Sequence, residues 1–163
     1  MRDPKDDDLG ERLISCEPVT VRRRVQWGEC DPAQVVYTPR FADYAASATH
    51  WFWRVLLSEA GVDLAASGTI TPIKSMAFTF HKTLRPDDLF DMTVHVGAIR
   101  DRTLDQLIEA TGMDGLERFS ARLTPILVSS GSFESTAIPL PARQAFESYR
   151  ARFPAKLDGQ SGR

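Results

Sequence analysis

The most regular apolar pattern in the chain begins at Phe41. Phe41, Tyr44, Ala45, Ala48, Phe52, Val55 and Leu56 follow i, i+3, i+4, i+7 spacing and lay one apolar stripe along a helix. Thr38 can serve as its N-cap, Pro39 suits the first helical position, and Gly61 suits the residue just past the end. The spacing predicts a helix over 39–60, roughly 33 Å long at 1.5 Å per residue, enough to run along a whole sheet. Beyond Gly61 the period changes from 3.6 to two. Strands are predicted at 73–83, at 89–99 with Phe90, Met92, Val94 and Val96 on one face, and at 103–111 and 117–128. Gly112-Met113-Asp114-Gly115 gives a strong hairpin signal between the last two. Ahead of the helix, Val19, Val21 and Val25 mark a first strand, and 141–153 closes the pattern as a short helix. One long helix wrapped by an antiparallel sheet of about five strands is an α+β plan.

The polar ends bound that plan. Residues 1–16 contain Asp6-Asp7-Asp8 and little apolar content, so a flexible arm is expected there. A domain over 17–153 follows, and 154–163, ending Gly-Gln-Ser-Gly-Arg, is expected to be a disordered tail. At 163 residues the chain is long enough for one domain with a sizeable core. A formal charge of −2 gives no electrostatic case for nucleic acid or an anionic membrane. No apolar run reaches the roughly 18 residues of a membrane span, and the charged start is no signal peptide. Cys16 and Cys30 make neither a disulfide framework nor, with His50, His81 and His95, a metal cluster. A cytoplasmic protein is the expectation, without metal or redox cofactor.

The candidate chemistry lies between the first strand and the helix, in Trp27-Gly28-Glu29-Cys30-Asp31-Pro32-Ala33-Gln34-Val35-Val36-Tyr37-Thr38-Pro39. Asp31 is a carboxylate on a tight apolar loop just ahead of a helix N-terminus, whose backbone N–H groups can stabilise an oxyanion. Asp-Pro is also a common turn opener, so an Asx turn is the structural alternative. Pro39 has no N–H, which makes the Thr38 amide the last donor before the helix. Glu29 reads as a structural acid and Cys30 as a small buried filler. The three histidines are scattered and have no Ser or Cys partner at a triad-like spacing, so structural or exposed roles are expected for them.

Gly28-Glu29-Cys30-Asp31-Pro32-Ala33 followed by Val35-Val36-Tyr37-Thr38-Pro39 resembles the loop of hotdog-fold acyl-CoA thioesterases of the 4-hydroxybenzoyl-CoA thioesterase type, in order and in spacing. The likeness continues more loosely over about 19–128. It implies a hotdog fold, hydrolysis of an acyl-CoA to free acid and coenzyme A, and no cofactor beyond the coenzyme A of the substrate. Asp31 falls on the position of the catalytic carboxylate, as nucleophile or general base, and Thr38 on that of the oxyanion amide. Tyr37 adjoins them. Arg100, Arg102 and Thr103, in the turn between two strands, match a basic cluster that clamps coenzyme A phosphates, although Asp101 stands where another basic residue is common. Thr71 corresponds to a polar group near the acyl pocket across a subunit boundary. Ala46 stands where the hydroxybenzoyl enzymes carry an acid for the phenol, which argues against a para-hydroxyl substrate. Tyr44, Ala48, Trp51 and Phe52 are expected on the pocket side, suiting an apolar or aromatic acyl group. One helix cannot cover such a sheet, so a homodimer or homotetramer with shared active sites is expected. The rivals are a non-catalytic acyl-binding protein on the same fold and a thioesterase acting on acyl carrier protein.

Overall fold

The computed structural model describes residues 10–156. In chain order these form β1 (Glu11–Cys16), β2 (Val19–Arg24), a single 3₁₀ turn at Trp27–Glu29, α1 (Arg40–Glu59), β3 (Thr69–Ile70), β4 (Ile73–Phe80), β5 (Leu89–Ile99), β6 (Leu104–Gly112), β7 (Glu117–Pro125), β8 (Val128–Ser129) and α2 (Leu140–Arg152). Six strands make one sheet in the order β1-β2-β5-β6-β7-β4, and β3 pairs with β8 apart from it. Every pairing is antiparallel.

The period of two decides which face is covered. Phe90, Met92, Val94 and Val96 of β5 sink beneath α1 together with Ile108, Ala110, Phe119 and Leu123 of β6 and β7. The alternate positions carry polar pairs on the other face, where Arg22 grips Asp91 at 2.7 and 2.9 Å and Thr20 meets Thr93 at 3.1 Å. Onto the apolar face α1 lays Phe41, Tyr44, Ala45, Ala48, Thr49, Phe52 and Leu56. Each large side chain so buried contributes about 1.5–3 kcal/mol. The helix ends as its sequence predicts, with Gly61 at φ 65° and the Val62 amide returning to the Leu57 carbonyl at 2.9 Å. The Arg118 guanidinium packs directly on Gly112, where a Cβ would lie 2.3 Å from Nη2 and push that side chain aside.

Several boundaries differ from expectation, among them β4, which ends at Phe80 rather than at 83. Residues 11–16, expected within the arm, are the edge strand β1, with Glu11 opposite Arg23 and Leu13 opposite Val21. Composition hid this strand because Glu11 is neutralised by groups distant in sequence. It raises the sheet from about five strands to six, and residues 1–9 lie outside the described residues. Helix α1 starts one residue late, with Pro39 rather than Thr38 at the cap and no side-chain cap bond. The strand expected over 117–128 stops at Pro125, which has no N–H to continue the ladder, and resumes briefly as β8. The first residues of the expected tail lie on the sheet: just after Phe153, whose carbonyl accepts from His95 Nδ1 at 3.1 Å, the Lys156 amide donates to Glu109 at 3.3 Å. Residues 157–163 lie outside the described residues.

Helix α2 closes one end of the core. Phe146 stacks on Phe52 at 6.1 Å and meets Trp53 edge-on at 5.3 Å. Tyr149 reaches further in, accepting from the Val19 amide at 2.8 Å and donating to the Val94 carbonyl at 2.7 Å. One hydroxyl thus joins β2, β5 and α2. Tyr149→Phe should lower the unfolding free energy by about 1–3 kcal/mol, the cost of leaving buried backbone groups unpaired. Urea unfolding measures it, and a loss under about 0.5 kcal/mol, the scale of a neutral surface change, would show that the two groups find other partners.

Candidate active site

Residues 29–37 fold into a miniature hairpin. The Tyr37 amide donates to the Glu29 carbonyl at 2.9 Å, Cys30 bridges Val36, and the Asp31 amide donates to the Val35 carbonyl at 2.9 Å. The tip turns at Gln34, a non-glycine residue held at φ 61°. The Val36 amide, bonded to the Leu84 carbonyl at 2.9 Å, ties the hairpin to the segment ahead of β5.

Asp31 sits at the tip and Thr38 just beyond the base. One oxygen of Asp31, Oδ1, accepts from the Ala33 amide at 2.8 Å, forming the Asx turn. Its Oδ2 has no bond within the protein among the described residues. The turn and the chemistry are therefore compatible, since the turn fixes the carboxylate and leaves one oxygen open. At the helix start, elimination singles out one donor. The amides of Tyr37, Arg40, Phe41 and Ala42 are all bonded to backbone carbonyls, and Pro39 has no N–H. Within residues 37–42, Thr38 alone has an amide N–H with no acceptor among the described residues. Beside it lies a cavity of about 280 Å³ lined by Val35, Val36, Thr38, Phe41, Phe80 and Leu84 among others. Trp27 and Tyr37, 67% and 55% exposed, do not close over Asp31 within one chain.

Glu29 is structural, as the sequence suggests, and its partners explain why. Its carboxylate accepts from Arg23 at 2.5 Å, from the Tyr44 hydroxyl at 2.7 Å and from the Gln26 amide at 2.8 Å. Burial pushes the Glu29 carboxyl up, but the Gln26 amide, Tyr44 and Arg23 together hold it below its ordinary value. Arg23 continues to Glu11 at 2.9 Å, and Glu11 takes donors from Ser47 and Trp51 on α1. This network, which the sequence did not reveal, clamps the base of the hairpin to β1, β2 and α1. Burial and the carboxylates of Glu29, Asp31 and Asp88 push the half-buried Cys30 thiol up, which keeps it protonated. His81 lies 3.5 Å from Ser120, beyond a catalytic hydrogen bond, His50 is exposed and His95 is buried.

The remaining predicted residues lie elsewhere. Tyr44, Ala48 and Phe52, expected on the pocket side of α1, are fully buried against the sheet instead, and Trp51 turns to Glu11 on β1. Their stripe is the core stripe. Ala46 lies four and seven residues before His50 and Trp53, on the flank that borders a groove of about 570 Å³ reaching Thr71. Arg100, Arg102 and Thr103 stand at the far end of β5. That strand has 11 residues, about 35 Å of extended chain, between the Asp31 end of the sheet and the arginine turn. One chain does not bring them together. Arg100 is also engaged by both oxygens of Asp105, at 2.8 and 3.1 Å, and Arg102 by Asp101 and Ser135.

The fold has many solved counterparts. The protein SAV2348 from Staphylococcus aureus, solved in complex with CoA, superposes with a TM-score of 0.75 at 14% identity, over 84% of this chain and 86% of that one. Slr0204, a 1,4-dihydroxy-2-naphthoyl-CoA thioesterase from Synechocystis, gives 0.65 at 16% identity, over 78% and 93%. A 4-hydroxybenzoyl CoA thioesterase mutant complexed with 4-hydroxybenzoyl CoA gives 0.66 at 20% identity, over 77% and 96%. No curated protein matches the sequence. At these identities the superpositions establish the shared α+β hotdog fold. The sequence itself carries the family signature, which the thioesterase-like superfamily model matches over residues 25–139, from the last core valine before the acid hairpin to the start of α2. Spanning well over half of the chain and the whole of that hairpin, the match places this protein in the thioesterase-like superfamily.

Proposed function

We propose that this protein hydrolyses acyl-CoA thioesters to a free acid and coenzyme A, with Asp31 and the Thr38 amide as the reacting pair. The observation that carries this reading is their arrangement. A carboxylate with one open oxygen and an unengaged backbone N–H share one rigid hairpin at the start of a 20-residue helix. The thioester carbonyl oxygen points at the Thr38 N–H, which with the helix dipole stabilises the negative charge that forms there. Asp31 then either attacks the acyl carbon, giving an anhydride that water opens, or takes a proton from water as it attacks. In both routes the carbon–sulfur bond breaks, the coenzyme A thiolate takes up a proton, and water supplies the elements that complete the free acid. Its oxygen goes directly into the acid in the general-base route, and into the acid or Asp31 according to which carbonyl of the anhydride it opens.

The site proposed is shared between two copies of the chain. Strand β4 is an edge of the sheet, and six of its eight residues are exposed, including Met76 and Phe80. Its Phe80 end touches Phe41 beside the Thr38 cavity, whereas its Ile73 end follows Pro72, whose carbonyl accepts from Ile126 next to Thr103. Two such edges paired antiparallel about a two-fold axis place the acid hairpin of one chain beside Thr71, Arg100, Arg102 and Thr103 of the other. This supports a homodimer as the working unit and explains why one chain keeps the predicted residues apart.

The Thr38 cavity has a polar side at His81, Lys82 and Thr83, but its apolar side, Val35, Val36, Phe41, Phe80 and Leu84, and the methyl of Ala46 favour an apolar or aromatic acyl group. An apolar pocket discriminates weakly against an added hydroxyl, whereas a site built for a hydroxyl strongly rejects its absence. Coenzyme A release should therefore be at least as fast from benzoyl-CoA, phenylacetyl-CoA or a medium-chain acyl-CoA as from 4-hydroxybenzoyl-CoA. A preference above about a hundredfold for the hydroxy compound would overturn the substrate assignment. Absence of release from all of them, and from acyl carrier protein donors, would overturn the hydrolase.

A further inference from the structure

Resting on the coenzyme A reading above, one cluster at the arginine end goes beyond it. Arg100 and Arg102 are each bonded to a carboxylate, Asp105 and Asp101, so these two cations alone leave no surplus charge for phosphate. The surplus comes from Arg143 in α2. Its Nη2 donates to the carbonyls of Arg100 at 2.6 Å and Asp101 at 3.3 Å. Among the described residues no carboxylate pairs with it, and its Nε and Nη1 have no bond. The turn therefore gathers three guanidinium groups against two carboxylates, and the unpaired one is held in place through its backbone contacts.

A second observation lies in the loop after β8. Phe133 is 76% exposed and held at φ 57°, a conformation costly for an aromatic residue. The Phe133 amide donates to the Ser129 carbonyl at 2.8 Å and the Ser129 amide to the Glu134 carbonyl at 2.9 Å, which fixes the backbone that carries the ring. Two residues on, the Ser135 hydroxyl accepts from Arg102 at 2.7 Å. An exposed ring on a fixed backbone thus lies two residues from the Ser135 contact that ties this loop to the cationic turn, a combination suited to a purine carrying phosphates.

We propose that Arg143 and Phe133 form the nucleotide end of the coenzyme A site, the guanidinium on a phosphate and the ring under the adenine. Arg143 takes the place of the basic residue missing at Asp101, from a helix beyond the residues matched to the family. The alternative is that Arg143 only staples α2 to the turn. Arg143→Gln removes the charge and, its amide lying two bonds short of Nη2, the two carbonyl contacts as well. Comparing thioesters with and without the nucleotide then separates the two roles, because loss of the staple alone affects both thioesters alike.

The test compares acyl-CoA with the same acyl group on pantetheine, which has neither adenine nor the nucleotide phosphates. Arg143→Gln should raise KM for acyl-CoA about tenfold, one charge-assisted contact, and Phe133→Ala several-fold. In both, kcat and the KM for acyl-pantetheine should stay within about twofold of wild type. A wild-type KM for acyl-CoA in Arg143→Gln overturns the arginine's role, and in Phe133→Ala the ring's. An equal rise for both thioesters overturns the proposal as a general loss of structure. Calorimetric binding of free coenzyme A to the same variants reads the site without turnover. Affinity equal to wild type there overturns it even if the protein hydrolyses no thioester.

Discussion

Asp31→Asn is expected to lower kcat by about 10²–10⁴, the range for removing a general base or nucleophile from a positioned site. The substitution isolates the charge. Asn can still accept from the Ala33 amide as Asp31 does at 2.8 Å, so the Asx turn and the hairpin persist. The KM for acyl-CoA should change little, because none of the groups proposed to hold the nucleotide, Arg100, Arg102 and Arg143, bonds to Asp31. A folded variant with near wild-type turnover would remove Asp31 from the reaction and leave it as a turn residue.

Met76→Pro should separate the fold from the assembly. The His81 amide bonds back to β7, at Arg118, and by the antiparallel alternation so do Thr79 and Ala77. Met76, Phe78 and Phe80 then point their amides out from the sheet edge. A proline at 76 removes a donor that the single chain does not use, so the monomer tolerates it. The same change interrupts any second β4 laid alongside. The variant should keep its circular dichroism, run as a single chain by light scattering, and lose about a hundredfold or more in turnover, the scale expected when reacting groups are displaced. A fully active monomer would refute the shared site.

The elements legible in the sequence were those with a strong period. Helix α1 and strand β5 stand out because burial on one face imposes a pattern over many residues, and Gly61 and the Gly112–Gly115 turn punctuate them. Strand β1 stayed hidden because an edge strand needs little apolar content, and the partners of Glu11 come from Arg23, Ser47 and Trp51, far along the chain. Asp31 and Thr38 could be located from local chemistry, an acid and the last free amide before a proline-led helix. The helix stripe misled in one respect: the apolar residues of α1 marked the core, whereas the flank bordering the groove carries Ala46, His50 and Trp53. Arg143 gave no local signal, since its meaning comes from two carbonyls more than forty residues away.

The two edges of the sheet are unlike, and that difference bears on solubility. Strand β4 offers a partly apolar edge suited to one partner, while β1 ends the sheet with Glu11 and Arg12. In the dimer proposed, pairing through β4 alone closes at two chains and has no means of growing into a fibre. A chain shortened to residue 17, the boundary that composition suggests, would lose this guard. It would expose Val19–Arg24 as a fresh second edge and strip Arg23, Ser47 and Trp51 of their shared carboxylate. Such a fragment would carry an open strand at each side and could add neighbours without limit, turning a self-terminating protein into an aggregating one.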